Sequence, residues 1–193
     1  MQSLKRCDCE CYVVTANCSI EVKAWAAMAT VSQTGYVKLN DNIVWPALNI
    51  GNDRGVNIIL VDPYNCSELE SQNFDTWELN STGLPGNHPA AVELRNYLQS
   101  LKDGSIIVGV TSDDATRNLH SALAILRQFG VEVGDVNYRG SFVFVAQKGY
   151  PAKTVMRKVQ TEQATLSNPA HLNTTITGIN LRSAYNERAQ SPC

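Results

Sequence analysis

At 193 residues, with 44% apolar and 18% charged side chains, the chain has the length and balance of one globular domain able to bury its own core. A formal net charge of -2 excludes a general electrostatic attraction to nucleic acid or anionic lipid. No apolar run approaches the roughly 20 residues of a membrane helix, since the longest candidates, Val56–Val61 and Ile106–Val110, are of strand length.

Met1 to Arg6 lacks the apolar centre of a secretory leader, so a leader is expected to have been removed or replaced, and Lys5-Arg6 before Cys7 has the form of a dibasic processing site. Cys7, Cys9 and Cys11 share one face of an extended segment but lack the C-x-x-C spacing of a zinc knuckle, which favours oxidation over metal binding. Ser19 to Trp25 alternates in polarity like a half-buried strand, and Tyr36–Leu39 passes through Asn40-Asp41-Asn42 into Ile43–Trp45 as a hairpin. Gly55 precedes the buried strand Val56–Val61, which breaks at the turn Asp62-Pro63-Tyr64-Asn65 and returns through Leu69 towards Phe74–Trp77 as a second hairpin.

Beyond the loop from Gly83 to Pro89, Leu94, Leu98 and Leu101 recur at helical spacing, with Pro89 in the first turn and Lys102-Asp103-Gly104 as the stop. Ile106–Val110 reads as a buried strand. The next helix carries Leu119, Leu123, Leu126 and Phe129 on one stripe, is expected to be capped by Ser112, Asp113 or Asp114, and stops at Gly130. Val131–Val133 reads as a short strand and Phe142–Val145 as a better one, ended by Gln147-Lys148-Gly149. After Tyr150 the pattern weakens until an edge strand at Thr174–Ile179. The sum is a single domain, 1–193, of the α+β class, with hairpin sheets packed by two or three helices.

Six cysteines and the sequons at Asn17, Asn65, Asn80 and Asn173 together predict a secreted, extracellular, disulfide-stapled glycoprotein. Cys7, Cys9, Cys11, Cys18, Cys66 and Cys193 are the disulfide candidates, and sequence does not choose among their pairings. The position of Cys193 suggests a bond tying the segment 150–193 back to the Cys-rich segment 1–18, and a leftover cysteine would join two chains into a homodimer. Common enzyme signatures are missing: there is no G-x-S-x-G elbow, H-E-x-x-H pair, P-loop or G-x-G-x-x-G cradle, and His88, His120 and His171 are isolated from one another. Asp113-Asp114 is the candidate calcium pair, although helix capping accounts for at least one of the two.

Seven stations between residues 54 and 149 carry a resemblance. They are Arg54-Gly-Val-Asn-Ile58, Phe74-Asp-Thr-Trp77, Asp103-Gly104, Thr111-Ser-Asp-Asp-Ala115, Leu126-Arg127 with Gly130, Tyr138-Arg139, and Phe144-Val-Ala-Gln-Lys-Gly149. In order and approximate spacing the segment resembles the domain shared by the interleukin-like epithelial-mesenchymal transition inducer, the pancreatic-derived factor, the stem domain of protein O-mannose N-acetylglucosaminyltransferase and two cell-surface hyaluronan-related proteins. The resemblance implies a bond between Cys18 and Cys193. It also implies one of two functions: a non-enzymatic lectin for a terminal hexose or amino sugar of galactose or GlcNAc type, or a cytokine-like signal for a protein receptor. In the lectin-type stem domain the sugar-holding Arg, Asp and Arg align with Arg54, Asp113 and Arg139.

Those residue types suit a sugar on physical grounds as well. A carboxylate accepts from two vicinal hydroxyls while guanidinium forks donate to ring and hydroxyl oxygens, and an aromatic face covers the C–H patch, with Trp77, Tyr138 and Trp45 as candidates. Each residue also has a structural reading: Arg54 holding a turn, Asp113 capping a helix, Arg139 pairing with Asp135 or covering apolar surface with its stem. Where the family usually has aromatic-Arg-Asp-x-Trp, this chain has Tyr138-Arg139-Gly140-Ser141-Phe142, and Gly140 is expected to open the pocket to a different hexose. The expected partners are terminal sugars of glycans or glycoproteins, with no nucleic acid, no membrane insertion and no cofactor other than the candidate calcium.

Overall fold

Three central strands are apolar on both faces, so each must be covered twice, and a layered arrangement follows. The structure, a computed structural model, describes residues 17–24, 35–45, 54–77, 88–160 and 169–176. The strands there are β1 (Cys18–Ala24), β2 (Tyr36–Leu39), β3 (Asn42–Trp45), β4 (Gly55–Asp62), β5 (Ser67–Phe74), β6 (Ile106–Ser112), β7 (Ser141–Gln147), β8 (Val155–Val159) and β9 (Ala170–Ile176). The helices are α1 (Pro89–Ser100) and α2 (Leu123–Gln128), with short 3-10 turns at Leu119–Ala122 and Pro151–Lys153. One antiparallel sheet has the order β3-β2-β1-β9 and the other the order β5-β4-β6-β7-β8.

Strand periodicity divides the core in two. Ile59 and Val61 of β4, Val108 and Val110 of β6, and Val143 and Val145 of β7 join β1 and β2 in the core between the sheets. Their alternate neighbours, Val56, Ile58, Ile107, Phe142 and Phe144, join α1 and α2 in a second core on the far side of the larger sheet. Gly109 is required where these layers are tightest: a Cβ there would lie 2.1 Å from the Phe144 ring on the neighbouring strand.

The expected stripe of α1 buries Leu94 and Leu98, with Leu101 at the C-cap packed beside them. No basic residue of α1 itself serves its last turn. Lys148, past the end of β7, supplies the charge: its Nζ donates to the carbonyls of Leu98 (3.4 Å), Gln99 (2.7 Å) and Leu101. The second expected helix is shorter than its stripe. Leu119 sits in the 3-10 turn, α2 begins at Leu123, and neither N-cap, Asn118 or Ala122, makes a side-chain cap hydrogen bond. Ser112, Asp113 and Asp114 are therefore not its caps. Gly130 (φ +79°) does end it, its N–H donating to Arg127 O while the N–H of Val131 donates to Leu126 O, the Schellman pattern. Val131 and Val133 form no strand, because this closure turns them into the helical-side core.

The structure corrects three further expectations. β8 has the mostly exposed pattern of an edge strand, which leaves no periodic signal to read. β9 begins at Ala170, four residues before the expected Thr174, and is the predicted edge of its sheet. Cys18 is bonded to Cys66, with Cα atoms 5.3 Å apart, and so not to Cys193; the start of β1 and the turn between β4 and β5 meet in the inter-sheet core. Cys7, Cys9, Cys11, Cys193, Asn80 and Trp25 lie outside the described residues.

On the outer face of the smaller sheet, Glu21 accepts from the Tyr36 hydroxyl (2.5 Å) and Lys38 Nζ (3.0 Å), with His171 Nε2 3.1 Å away. The hydrogen bond from Tyr36, more than any other contact, holds the Glu21 carboxyl down to about 2.

Candidate functional site

Antiparallel pairing brings four strand ends together. Arg54 precedes β4, Asp75 follows β5, Asp113 follows β6, and Tyr138-Arg139 lie just before β7. Because β4 pairs antiparallel with both β5 and β6, and β6 with β7, these positions share one end of the larger sheet.

Gly55 sets the entry to β4 at φ +96°, and a Cβ there would fall 2.2 Å from Phe74 O. Arg54, immediately before it, forks onto Asp75: Nε lies 3.0 Å and 3.1 Å from the two carboxylate oxygens and Nη2 2.5 Å from Oδ2. Asp75 Oδ1 also accepts from the backbone N–H of Trp77 at 3.1 Å, so one carboxylate holds both a guanidinium and the main chain that carries the Trp77 ring. Buried Thr76 donates from its hydroxyl to Ala115 O at 2.7 Å, fastening this segment to the loop after β6.

Asp113 and Arg139 both take left-handed backbone, φ +55° and +63°. Such conformations are uncommon for residues other than Gly and tend to gather at functional sites. Asp113 is exposed as a residue, yet partial desolvation of its carboxyl pushes it up from its ordinary range, Arg54 and Arg139 pull it down, and Asp114 and Asp75 add to the upward push. Asp113 is thus within electrostatic reach of both Arg54 and Arg139.

The neighbouring residues hold the two loops. Asp114 is buried and its Oδ1 accepts from Thr116 N–H and hydroxyl, each at 3.0 Å, the hydroxyl also lying 3.0 Å from Asn137 O. Asp114 therefore braces the site from below. Across the base, Thr111 and Phe142 exchange two buried hydrogen bonds of 3.1 Å and 3.0 Å. Among the described residues no three His, Cys, Asp or Glu side chains stand together as a metal would need.

An aromatic wall completes the arrangement. The Trp77 and Tyr138 rings lie 6.0 Å apart between centroids, and Tyr138 is 51% exposed. Arg117 Cζ sits 4.8 Å from the Trp77 ring centroid and Arg139 Cζ 5.2 Å from that of Tyr138. Trp45, the third aromatic candidate, is 3% exposed in the inter-sheet core and does not belong to the site. Asp135, the expected partner of Arg139, pairs with Lys158 at 2.5 Å. Gly140 is buried, and a Cβ there would meet Val136 Cγ1 at 2.6 Å; its role is packing, not widening a pocket.

Sequence reasoning missed Asp75 and Arg117 as site residues. Asp75 lies inside the quoted Phe74-Asp-Thr-Trp77 station, which was a usable signal; Arg117 follows the Thr111–Ala115 station and had none.

The family model described as interleukin-like EMT inducer matches residues 54–150, half of the chain and the stretch that carries Arg54, Asp75, Trp77, Asp113, Arg117, Tyr138 and Arg139. The chain belongs to that family. Relatives include Protein FAM3C of Rattus norvegicus, 25% identical over 118 residues covering 60% of this chain and 48% of that protein. Protein FAM3C of Danio rerio is 27% identical over 116 residues, covering 59% and 47%, and Protein FAM3B of Homo sapiens 26% identical over 137 residues, covering 68% and 54%. The chain spans about half the length of the relatives it matches.

Proposed function

We propose that this chain is a secreted, non-enzymatic carbohydrate-binding protein that recognises a terminal hexose or amino sugar, of galactose or GlcNAc type. The observation that carries this reading is the convergence of Arg54, Asp113 and Arg139 at one end of the larger sheet beside the Trp77–Tyr138 ring pair. The carboxylate accepts from two vicinal hydroxyls, Arg139 donates to sugar oxygens, and the rings cover the apolar face. Arg54, held by Asp75, presents a fixed cation. The Cys18–Cys66 disulfide and the exposed side chains of Asn17, Asn65 and Asn173 support an extracellular setting. Among the described residues no helix is long and apolar enough to cross a membrane. A single sugar site binds weakly, so a homodimer joined through cysteines would supply avidity.

A glycan array of the folded protein tests this, with calcium and again with a chelator. A specific signal that Arg139→Ala and Asp113→Asn abolish is the expected result, and a chelator-sensitive signal would assign calcium a part. A blank array would sink the reading. The family's description as interleukin-like favours a second reading, a cytokine-like ligand for a protein receptor. That reading requires saturable cell binding that survives enzymatic removal of surface glycans.

A further inference from the structure

One disulfide joins the middle residues of two sequons, Asn17-Cys18-Ser19 and Asn65-Cys66-Ser67. Both asparagines are exposed, whereas Cys18 is 0% and Cys66 5% exposed. The acceptor amides face solvent while the sulfur bridge between them is sealed in the inter-sheet core. Folding also fixes both segments. Ser19 pairs with Thr175 of β9 and its N–H donates to Asn40 Oδ1 at 3.0 Å. Asn65 Oδ1 accepts from Ser67 N–H (3.0 Å) and hydroxyl (2.7 Å), around a Cys66 with φ +55°.

We propose that closure of Cys18–Cys66 is a one-way gate on glycosylation of Asn17 and Asn65. The inference is independent of the sugar-binding reading and needs only passage through an oxidising secretory lumen. In glycan transfer the asparagine Nδ2 loses a proton and attacks the anomeric carbon of a lipid-diphosphate oligosaccharide; a C–N bond forms and the C–O bond to the diphosphate breaks. In closure the two thiols lose two protons and two electrons to a lumenal disulfide carrier, which becomes a dithiol. A transferase takes its acceptor as a single extended strand of chain. Once the middle residue is cross-linked to a second segment, the acceptor is a four-armed junction and no longer threads. The reverse order is open, because the asparagine side chains face solvent and a glycan there does not separate the cysteines. Burial then keeps other thiolates from the bridge, so the first event decides the outcome.

The cysteines are 48 residues apart in sequence. At about 5–20 residues per second, Asn17 stays open for roughly 2–10 s before Cys66 is made, while Asn65 emerges with Cys18 already waiting. Occupancy at Asn17 should exceed that at Asn65. The gated pair lies at the β4–β5 turn, at the far end of β4 from Arg54 and about 26 Å along it.

The test is site occupancy, by peptide mass spectrometry of total cellular protein, for the full chain expressed behind a secretory leader. Counting total protein includes molecules that fail to fold. Cys66→Ala leaves the Asn17 sequon intact and Cys18→Ala leaves the Asn65 sequon intact; Asn173, which has no cysteine in its sequon, is the internal control. Removing one of two processes that both run in seconds should raise Asn65 occupancy about twofold or more in Cys18→Ala, with a smaller rise at Asn17 in Cys66→Ala and none at Asn173. A brief reductant pulse on the parent chain should reproduce the pattern. Full occupancy of both sites in the parent, no rise in either variant, or an equal rise at Asn173 would each overturn the gate.

Discussion

Asp75→Asn isolates the fork that orients Arg54. The parent contact has three N–O distances from 2.5 to 3.1 Å between side chains 30% and 18% exposed. A charge-assisted pair of this geometry is worth about 1.5–3 kcal/mol when buried, and solvent screening at this exposure cuts it to about 1 kcal/mol. The urea midpoint should therefore fall by about 0.5 M, for a slope of about 2 kcal/mol/M. Asparagine keeps an oxygen for the Trp77 N–H, so the ring pair stays, while Arg54 loses its orientation; sugar affinity should fall about tenfold, equivalent to about 1.4 kcal/mol. The pH profile adds an independent sign. Asp113, its carboxyl raised chiefly by partial desolvation, accepts sugar hydroxyls only when ionised, so binding is present above its folded pKa and is lost as pH falls through it. Removing the Asp75 charge removes one upward push, and the acid limb of binding should move to lower pH. Isothermal titration of one sugar across the acid range, beside urea unfolding, measures both. A variant with parental affinity and an unmoved acid limb would refute the argument that Asp75 organises this end of the sheet.

Lys148→Met should strip the last turn of α1 of its cation and cost about 1–2 kcal/mol, seen as a lower unfolding midpoint and faster amide exchange at 98–101. Gly109→Ala forces a Cβ towards the Phe144 ring, 2.1 Å away in the parent, and should cost about 1–3 kcal/mol, partly recovered in the double variant with Phe144→Leu. Glu21, held down to about 2 chiefly by the Tyr36 hydroxyl, contributes stability that is full above its ordinary value of 4.5 and is lost as pH falls through about 2. Glu21→Gln should therefore be less stable than the parent at neutral pH and should flatten the fall in stability across that window.

The central strands were legible because burial on both faces leaves continuous apolar runs, as in Val56–Val61, and α1 because Leu94 and Leu98 repeat at helical spacing. β8 was not, since only Val159 of its five residues is buried and its place is set by backbone pairing to β7. The start of α2 was misplaced because Asp114 bonds locally to Thr116, a competitor to capping with the same sequence signature. In the site, Arg54, Asp113 and Arg139 were readable only through register with a family. Asp75 escaped although it stands inside a matched station, because the station does not say that its carboxylate holds the arginine 21 residues earlier. Trp45 and the Cys18–Cys66 bond were settled by which strand faces point inward, a tertiary fact that spacing does not encode.

The left-handed backbone at Asp113 and Arg139 also bears on how such a protein can diverge. A β-branched replacement at either position is penalised by its own main chain before any ligand is considered. New recognition is therefore more accessible to drift at Arg117 and Tyr138, which carry no positive-φ constraint and form the exposed edge of the aromatic wall. Paralogues descending from this chain should keep the frame and vary the rim.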